Sequence, residues 1–195
     1  MRLQFIILII MAVLYQQKAM ALQPTEQGIT TGIYTGLNRW ERADHNKVGF
    51  SVTPQIGYRF NSKWEAGAMF KFDHYSYLVN YYGIGAYGRY NCVLTSNGAF
   101  RLFVDGQAYY SIGDYEKYYG GDLTDNSVNP VEIGLTPGIA YRIHGSKVDL
   151  KLRYLFIGFN NNDRWYKEMG GCVGRGDWIL DAGLRRLELG VAVNF

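Results

Sequence analysis

The sequence predicts an all-β chain, an eight-stranded antiparallel up-and-down transmembrane β-barrel that follows a cleaved signal peptide. Three observations predict it. Apolar residues recur at every second position in eight segments, the connections between the segments alternate between tight and long, and the last segment carries its apolar face to the final residue, Phe195. An apolar strand face that runs to the last residue of the sequence must be buried against something, and lipid is the expected cover.

The N-terminal end comes first. Arg2 precedes the apolar run Phe5 to Leu14, and Ala19-Met20-Ala21 places small residues at the alternate positions that a signal peptidase reads. Residues 1–21 are therefore expected to be a leader cut after Ala21, and residues 22–195 the barrel domain. The run is too short to cross a bilayer as a helix, which takes about 20 apolar residues. Arg2 and Lys18 leave with the leader, so 18 of the 20 basic residues remain against 17 acidic ones. That near-neutral balance gives no footprint for a nucleic-acid partner.

Segment one, Gly28 to Asn38, sets Ile33 and Leu37 against Gly32, Tyr34 and Gly36. Segment two sets Phe50, Val52, Pro54, Ile56, Tyr58 and Phe60 against Ser51, Thr53, Gln55, Gly57 and Arg59. Segment three sets Trp64, Ala66, Ala68, Phe70 and Phe72 against Glu65, Gly67, Met69, Lys71 and Asp73. Segment four, Tyr81 to Val93, sets Tyr82, Ile84 and Ala86 against Gly83, Gly85, Tyr87 and Arg89. Segment five sets Phe100, Leu102, Val104, Gly106 and Ala108 against Arg101, Phe103, Asp105 and Gln107. Segment six sets Ile133, Leu135, Pro137, Ile139 and Tyr141 against Glu132, Gly134, Thr136, Gly138 and Arg142. Segment seven sets Val148, Leu150, Leu152, Tyr154 and Phe156 against Asp149, Lys151 and Arg153. Segment eight sets Leu187, Leu189, Val191, Val193 and Phe195 against Glu188, Gly190, Ala192 and Asn194. Each is near the roughly 9 to 11 residues with which a tilted strand crosses a bilayer.

Asn61-Ser62-Lys63, Thr95 to Gly98 and Gly145-Ser146-Lys147 read as tight hairpin turns. Arg39 to Gly49, Ser111 to Pro130 and Asn160 to Gly183 read as long polar connections, and the one near Tyr75 to Asn80 as short. With the N-terminus on the inner side, every tight turn falls inside and every long connection outside, an asymmetry typical of outer-membrane barrels. Thr53-Pro54-Gln55-Ile56-Gly57-Tyr58-Arg59 also echoes Thr136-Pro137-Gly138-Ile139-Ala140-Tyr141-Arg142, each before a turn.

These Thr-Pro-x-Ile-x-Tyr strands, the strand count and the terminal Leu-x-Leu-x-Val-x-Val-x-Phe resemble the small eight-stranded outer-membrane β-barrels of Gram-negative bacteria, the OmpA/OmpX-like group. The resemblance spans the mature chain. It implies a bacterial outer-membrane address among lipid and lipopolysaccharide, and a terminal strand, Leu187, Leu189, Val191, Val193 and Phe195, that is read by the barrel assembly machinery. Such families are defined by architecture, so the likeness speaks to location more than to activity. The implied role is structural, or binding and adhesion through the outer loops to a host or surface ligand.

A secreted lipocalin-like barrel also alternates, with its apolar face turned inward round a greasy ligand. Two observations oppose it. The other face is rich in glycine and alanine, and aromatics gather near strand ends: Tyr58, Phe60, Trp64, Tyr90, Phe100, Tyr141 and Phe195 at the inner end, and Tyr75, Tyr77, Tyr81, Tyr82, Tyr109 and Tyr110 at the outer. With lipid outside, Glu65, Asp105, Glu132, Asp149 and Glu188 share the lumen with Lys71, Arg101, Arg142, Lys151 and Arg153. An eight-stranded barrel is just wide enough for side chains to fill, and buried charges persist when paired. A salt-bridged plug is expected in place of an open pore, with a small-solute channel as the weaker alternative.

Chemistry is sparse. His74 and Ser76 share a face near the outer end of segment three, and His-x-Ser resembles the site of barrel-type lipid A deacylases. That family's following glutamate has no counterpart, since the next strand offers Tyr87 and Arg89; a serine nucleophile needs a base and a group to orient it. Arg175-Gly176-Asp177 lies in the last outer connection, where an Arg-Gly-Asp triplet could engage integrins, although three residues recur easily by chance. The stretch Asp114 to Asp125 matches no calcium loop. His45 and His144 have no ligand cluster around them, and no metal or cofactor is expected. Cys92 near the inner end and Cys172 in an outer connection are separated by most of a membrane, beyond the roughly 7 Å between Cα atoms that a disulfide spans.

Overall fold

The computed structural model describes residues 27–42, 45–75, 79–93, 95, 98–115, 129–161, 172–175 and 177–195. The expected leader, 1–21, lies outside them. Among the described residues the chain forms a closed antiparallel barrel. Six staves are single strands: β1 Gly28–Arg42, β2 His45–Arg59, β3 Trp64–Tyr75, β4 Val79–Val93, β5 Phe100–Tyr115 and β6 Val131–Arg142. The seventh is made of β7 Val148–Arg153 and β8 Phe156–Asn160. The eighth is made of β10 Trp178–Asp181 and β11 Glu188–Asn194, with a single 3-10 turn at Leu184–Arg186 between them. A short strand, β9 Cys172–Arg175, pairs with β10 alone.

Closure comes from the two ends of the chain. β11 lies between β7 and β1, with Val191 opposite Leu150 on one side and Ile33 on the other, and the Phe195 N–H donates to the Ile29 carbonyl at 2.8 Å. Closing the sheet leaves no free edge at this level, which is the condition for a strand assembly to sit in hydrocarbon. The registers climb about ten residues in one circuit, the stagger that makes the staves tilt by roughly 35–45°.

The apolar face points outward. Ile33, Leu37, Ile56, Ile84, Ile133, Leu150, Leu189 and Val191 are all exposed, while the alternate positions are buried in the lumen and include most of the charged side chains. A lipocalin has the opposite polarity, so that alternative is overturned. Tyr58, Phe60, Trp64, Tyr90, Tyr141 and Phe195 stand exposed around the inner end, with Trp64 and Tyr90 paired at 4.9 Å between ring centroids. At the outer end only part of the expected girdle faces out. Tyr82 and Tyr110 do, whereas Tyr81 and Tyr109 are lumenal, because each is the next residue along its strand and so lies on the opposite face. The side chain of Tyr75 and all of Tyr77 lie outside the described residues.

Several boundaries differ from those that hydropathy suggested. Residues expected in the loop from Arg39 to Gly49 extend the first hairpin, whose ladder continues to Arg42 opposite His45. Ser111 to Tyr115 likewise continue β5. The supposed loop from Asn160 to Gly183 contains β9 and β10. Backbone pairing thus continues past the stretches in which the sequence alternates.

Segment seven contains the largest correction. It was read as one strand with Phe156 on the apolar outer face. The ladder breaks at Tyr154 and Leu155, where Leu155 takes φ 75°, and one extra residue inverts the alternation beyond it. Phe156 is fully buried in the lumen, and Ile157 faces out. Glycine makes room for such lumenal rings where they cross the wall: a Cβ at Gly134 would stand 2.6 Å from the Phe156 ring, and one at Gly138 would meet Phe103.

Candidate functional site: the charged lumen

Strand alternation delivers the charges to the interior, and hairpin register pairs many of them. Arg59 lies directly opposite Glu65, Arg89 opposite Asp105, Arg142 opposite Asp149 and Arg153 opposite Glu188. Each of these pairs is also an ion pair. Such contacts are the sheet counterpart of helical side-chain pairs.

At mid-height the Arg89 guanidinium forks onto Asp105, with Nε to Oδ1 at 2.6 Å and Nη2 to Oδ2 at 2.8 Å. Its Nη1 donates to Glu65 at 3.1 Å and its Nη2 to the Tyr34 hydroxyl at 2.8 Å. Tyr87 donates to the same Glu65. Arg153 continues the network, joining Asp105 at 3.4 Å to Glu188 and lying 3.8 Å over the Tyr34 ring. Arg89, Asp105 and Glu65 are essentially inaccessible. Buried charges are costly when alone, and these are saturated with partners. Lys151 is buried beside them.

The outer group centres on Arg186. It donates through both Nη atoms to Glu132, at 2.9 and 2.7 Å, and through Nε to Asp181 at 2.7 Å. Asn160 also donates to Glu132, at 2.7 Å. Arg185 Nε donates to Asp181 at 2.9 Å, as does the Gly183 N–H at 3.0 Å. The Phe156 ring, brought inside by the break at Leu155, lies 4.5 Å beneath the Arg186 guanidinium. Nearby, Lys71 meets Asp73 at 3.4 Å and Tyr109 at 3.0 Å. Between this group and the middle one is a cavity of about 20 Å³, lined in part by Lys71, Gln107, Tyr109, Arg153 and Glu188. That is room for about one water.

The inner group converges on Asp149. Arg101 Nη2 approaches it at 2.5 Å, Arg142 Nε at 2.9 Å and Arg59 Nη2 at 3.5 Å, while Asn194 donates to it at 3.1 Å.

The structure therefore places Glu65, Lys71, Arg101, Asp105, Glu132, Arg142, Asp149, Lys151, Arg153 and Glu188 in one lumen, with Arg142 nearest its edge. Arg59, Asp73, Arg89, Asp181, Arg185 and Arg186 join them and were not singled out from sequence. Arg59 and Arg89 carried a signal, since counting back from the tight turns sets them opposite Glu65 and Asp105. Asp181, Arg185 and Arg186 were hidden inside a presumed loop.

The other sequence candidates are scattered. His74 Nδ1 bonds the Asn80 side-chain carbonyl at 2.7 Å, and its ring packs on Phe50 at 5.2 Å; Ser76 lies outside the described residues. Arg175 ends β9 and Asp177 is exposed in the turn before β10, while Gly176 is outside the described residues. Leu187, Leu189, Val191 and Phe195 are exposed on the outer face, with Val193 partly so. Cys92 is free, and the side chain of Cys172 is not described. Among the described residues no three His, Cys, Asp or Glu side chains gather as a metal cage.

No family model and no curated sequence matches the chain. Solved structures do. Neisserial surface protein A is 14% identical, with a TM-score of 0.51 over 89% of this chain and 100% of its own. The N-terminal β-barrel domain of Pseudomonas aeruginosa OprF is 15% identical, with the same score over 89% of this chain and 100% of that one. The fold is that of the small eight-stranded outer-membrane β-barrels. A weaker likeness, at TM-score 0.41 and 15% identity over 86% of this chain and 99% of the other, is to the Yersinia pestis outer membrane protein Ail. At these identities the outer-membrane barrel fold is shared and nothing finer is carried over.

Proposed function

We propose that the protein is an outer-membrane barrel without an open pore, a rigid wall that holds surface loops for structural or binding work. The observation that carries this is the mid-lumen network, in which the buried side chains of Arg89, Glu65, Asp105, Arg153 and Glu188 connect across the barrel. An ion entering this layer would have to break several buried ion pairs at once, each costing about 3–5 kcal/mol to leave uncompensated. In this reading the leader, residues 1–21, is removed after Ala21. The terminal strand ending in Phe195 is handed to the barrel assembly machinery, and lipid and lipopolysaccharide cover the apolar belt. The outer connections, with Arg175 to Asp177 among them, are the surface offered to a host or other ligand.

Planar-bilayer recording on the purified, refolded barrel tests the closed lumen. Electrically silent insertion is expected. Steady, large conductance from folded protein would replace the closed wall with a channel. Fractionation with a heat-modifiability gel tests the address: folded, fast-migrating protein in the outer membrane is expected, and recovery only in the soluble fraction would overturn it.

A further inference from the structure

The innermost row of lumenal side chains contains Arg59, Arg101, Arg142, Asp149 and Asn194, one from each of five staves. Three guanidiniums there converge on Asp149, and the second carboxylate within reach, Glu65, takes Arg59 but is shared with Arg89 and Tyr87. The row also holds a concentration of unmet hydrogen-bonding groups. Arg59 Nε, Arg101 Nε and Asn194 Oδ1 are buried without a hydrogen-bond partner, while Arg101 Nη2 is taken up by Asp149. Arg101 is 5% exposed, so its unmet Nε–H is shielded from bulk solvent. Asn194 Nδ2 is committed to Asp149 and to the Lys147 carbonyl, which fixes Oδ1 as the free acceptor.

We propose that this inner rim is an oxyanion site for a phosphate-class group that retains a hydroxyl. The oxygens of such a group would accept from the free N–H groups of Arg59 and Arg101, while its hydroxyl would donate to Asn194 Oδ1. Arginine forks match phosphate oxygens in geometry and charge. Water can fill the same hydrogen bonds but leaves the excess positive charge uncompensated in a site of low dielectric. Exposed Lys147 on the adjoining turn, and Arg142 at the edge, add positive charge along the approach. The site lies at the tight-turn end and does not depend on whether the lumen conducts.

The test follows the arginine Nε–H NMR signals of the refolded chain in uncharged detergent micelles, as inorganic phosphate replaces chloride at constant ionic strength. Saturable shifts of Arg59 and Arg101 are expected at millimolar phosphate, with Arg89 and Arg186 unmoved. Arg101→Gln should weaken phosphate binding about tenfold, the loss of charge-assisted hydrogen bonds. Asn194→Ala, which keeps all three arginines, should weaken it several-fold and decides the matter if Arg101→Gln fails the gel assay for folding. Micelles doped with phosphatidic acid, a phosphomonoester that retains a hydroxyl, and free of inorganic phosphate separate the sources: shifts there assign the group to a lipid headgroup, and shifts with free phosphate alone assign it to a solute. Signals that stay still under both conditions, or respond equally to chloride, overturn the site, as does wild-type affinity in the folded variants.

Discussion

At the outer end of the lumen, Arg186 is held on both Glu132 and Asp181, and Asn160, Arg185 and the Gly183 N–H complete the carboxylates. At the inner end, Arg59, Arg101 and Arg142 crowd one Asp149 and leave donors unmet. The two ends are built from the same residue types in the same wall. Cations and carboxylates are matched at one and cation-rich at the other. Matched charges act as a fastener, because removing one member strands the others. A surplus of one sign leaves capacity for a counter-charge from outside the chain.

The contrast is broken or sharpened by three substitutions, each followed by denaturant unfolding of the folded barrel in micelles. Arg186→Met removes the guanidinium held on Glu132 and leaves Asp181 with Arg185 alone, and is expected to cost about 3–5 kcal/mol. Leu155→Gly relieves a left-handed conformation worth roughly 1–2 kcal/mol in a residue with a Cβ, less the entropy glycine adds to the unfolded chain, for a net gain of about 0.5–1 kcal/mol. A loss instead would show that the Leu155 side chain, and not only the break, supports the outer group. Arg101→Met is expected to change stability by less than about 1 kcal/mol, because Asp149 keeps Arg142, Arg59 and Asn194 and a buried cation with unmet donors is removed. Equal costs for Arg101→Met and Arg186→Met would erase the difference between the ends.

Much of the inner half was legible from sequence. The tight turns at Asn61–Lys63 and Gly145–Lys147 fix which residues face each other, so Arg59 with Glu65 and Arg142 with Asp149 follow from counting outward. The outer half was less so. Trp178–Asp181 sits in a polar, glycine-rich stretch whose alternation is only four residues long, and it becomes a stave because β8 and β9 offer it edges on both sides. Arg185 and Arg186 are neighbours in sequence, so simple alternation would send them to opposite faces. The 3-10 turn at Leu184–Arg186 brings both to Asp181.

The amino-acid order by itself determined that the chain forms strands, which side of each meets apolar surroundings, and where the inner turns fall. These depend on a two-residue period and on turn chemistry, both local properties. Only the tertiary structure decided which charges meet and where the alternation inverts. Those depend on the stagger accumulated around the closed barrel and on the break at Leu155, which carries Phe156 from the outer face to its place beneath Arg186. No short window of sequence contains either, because each is set by partners far apart along the chain.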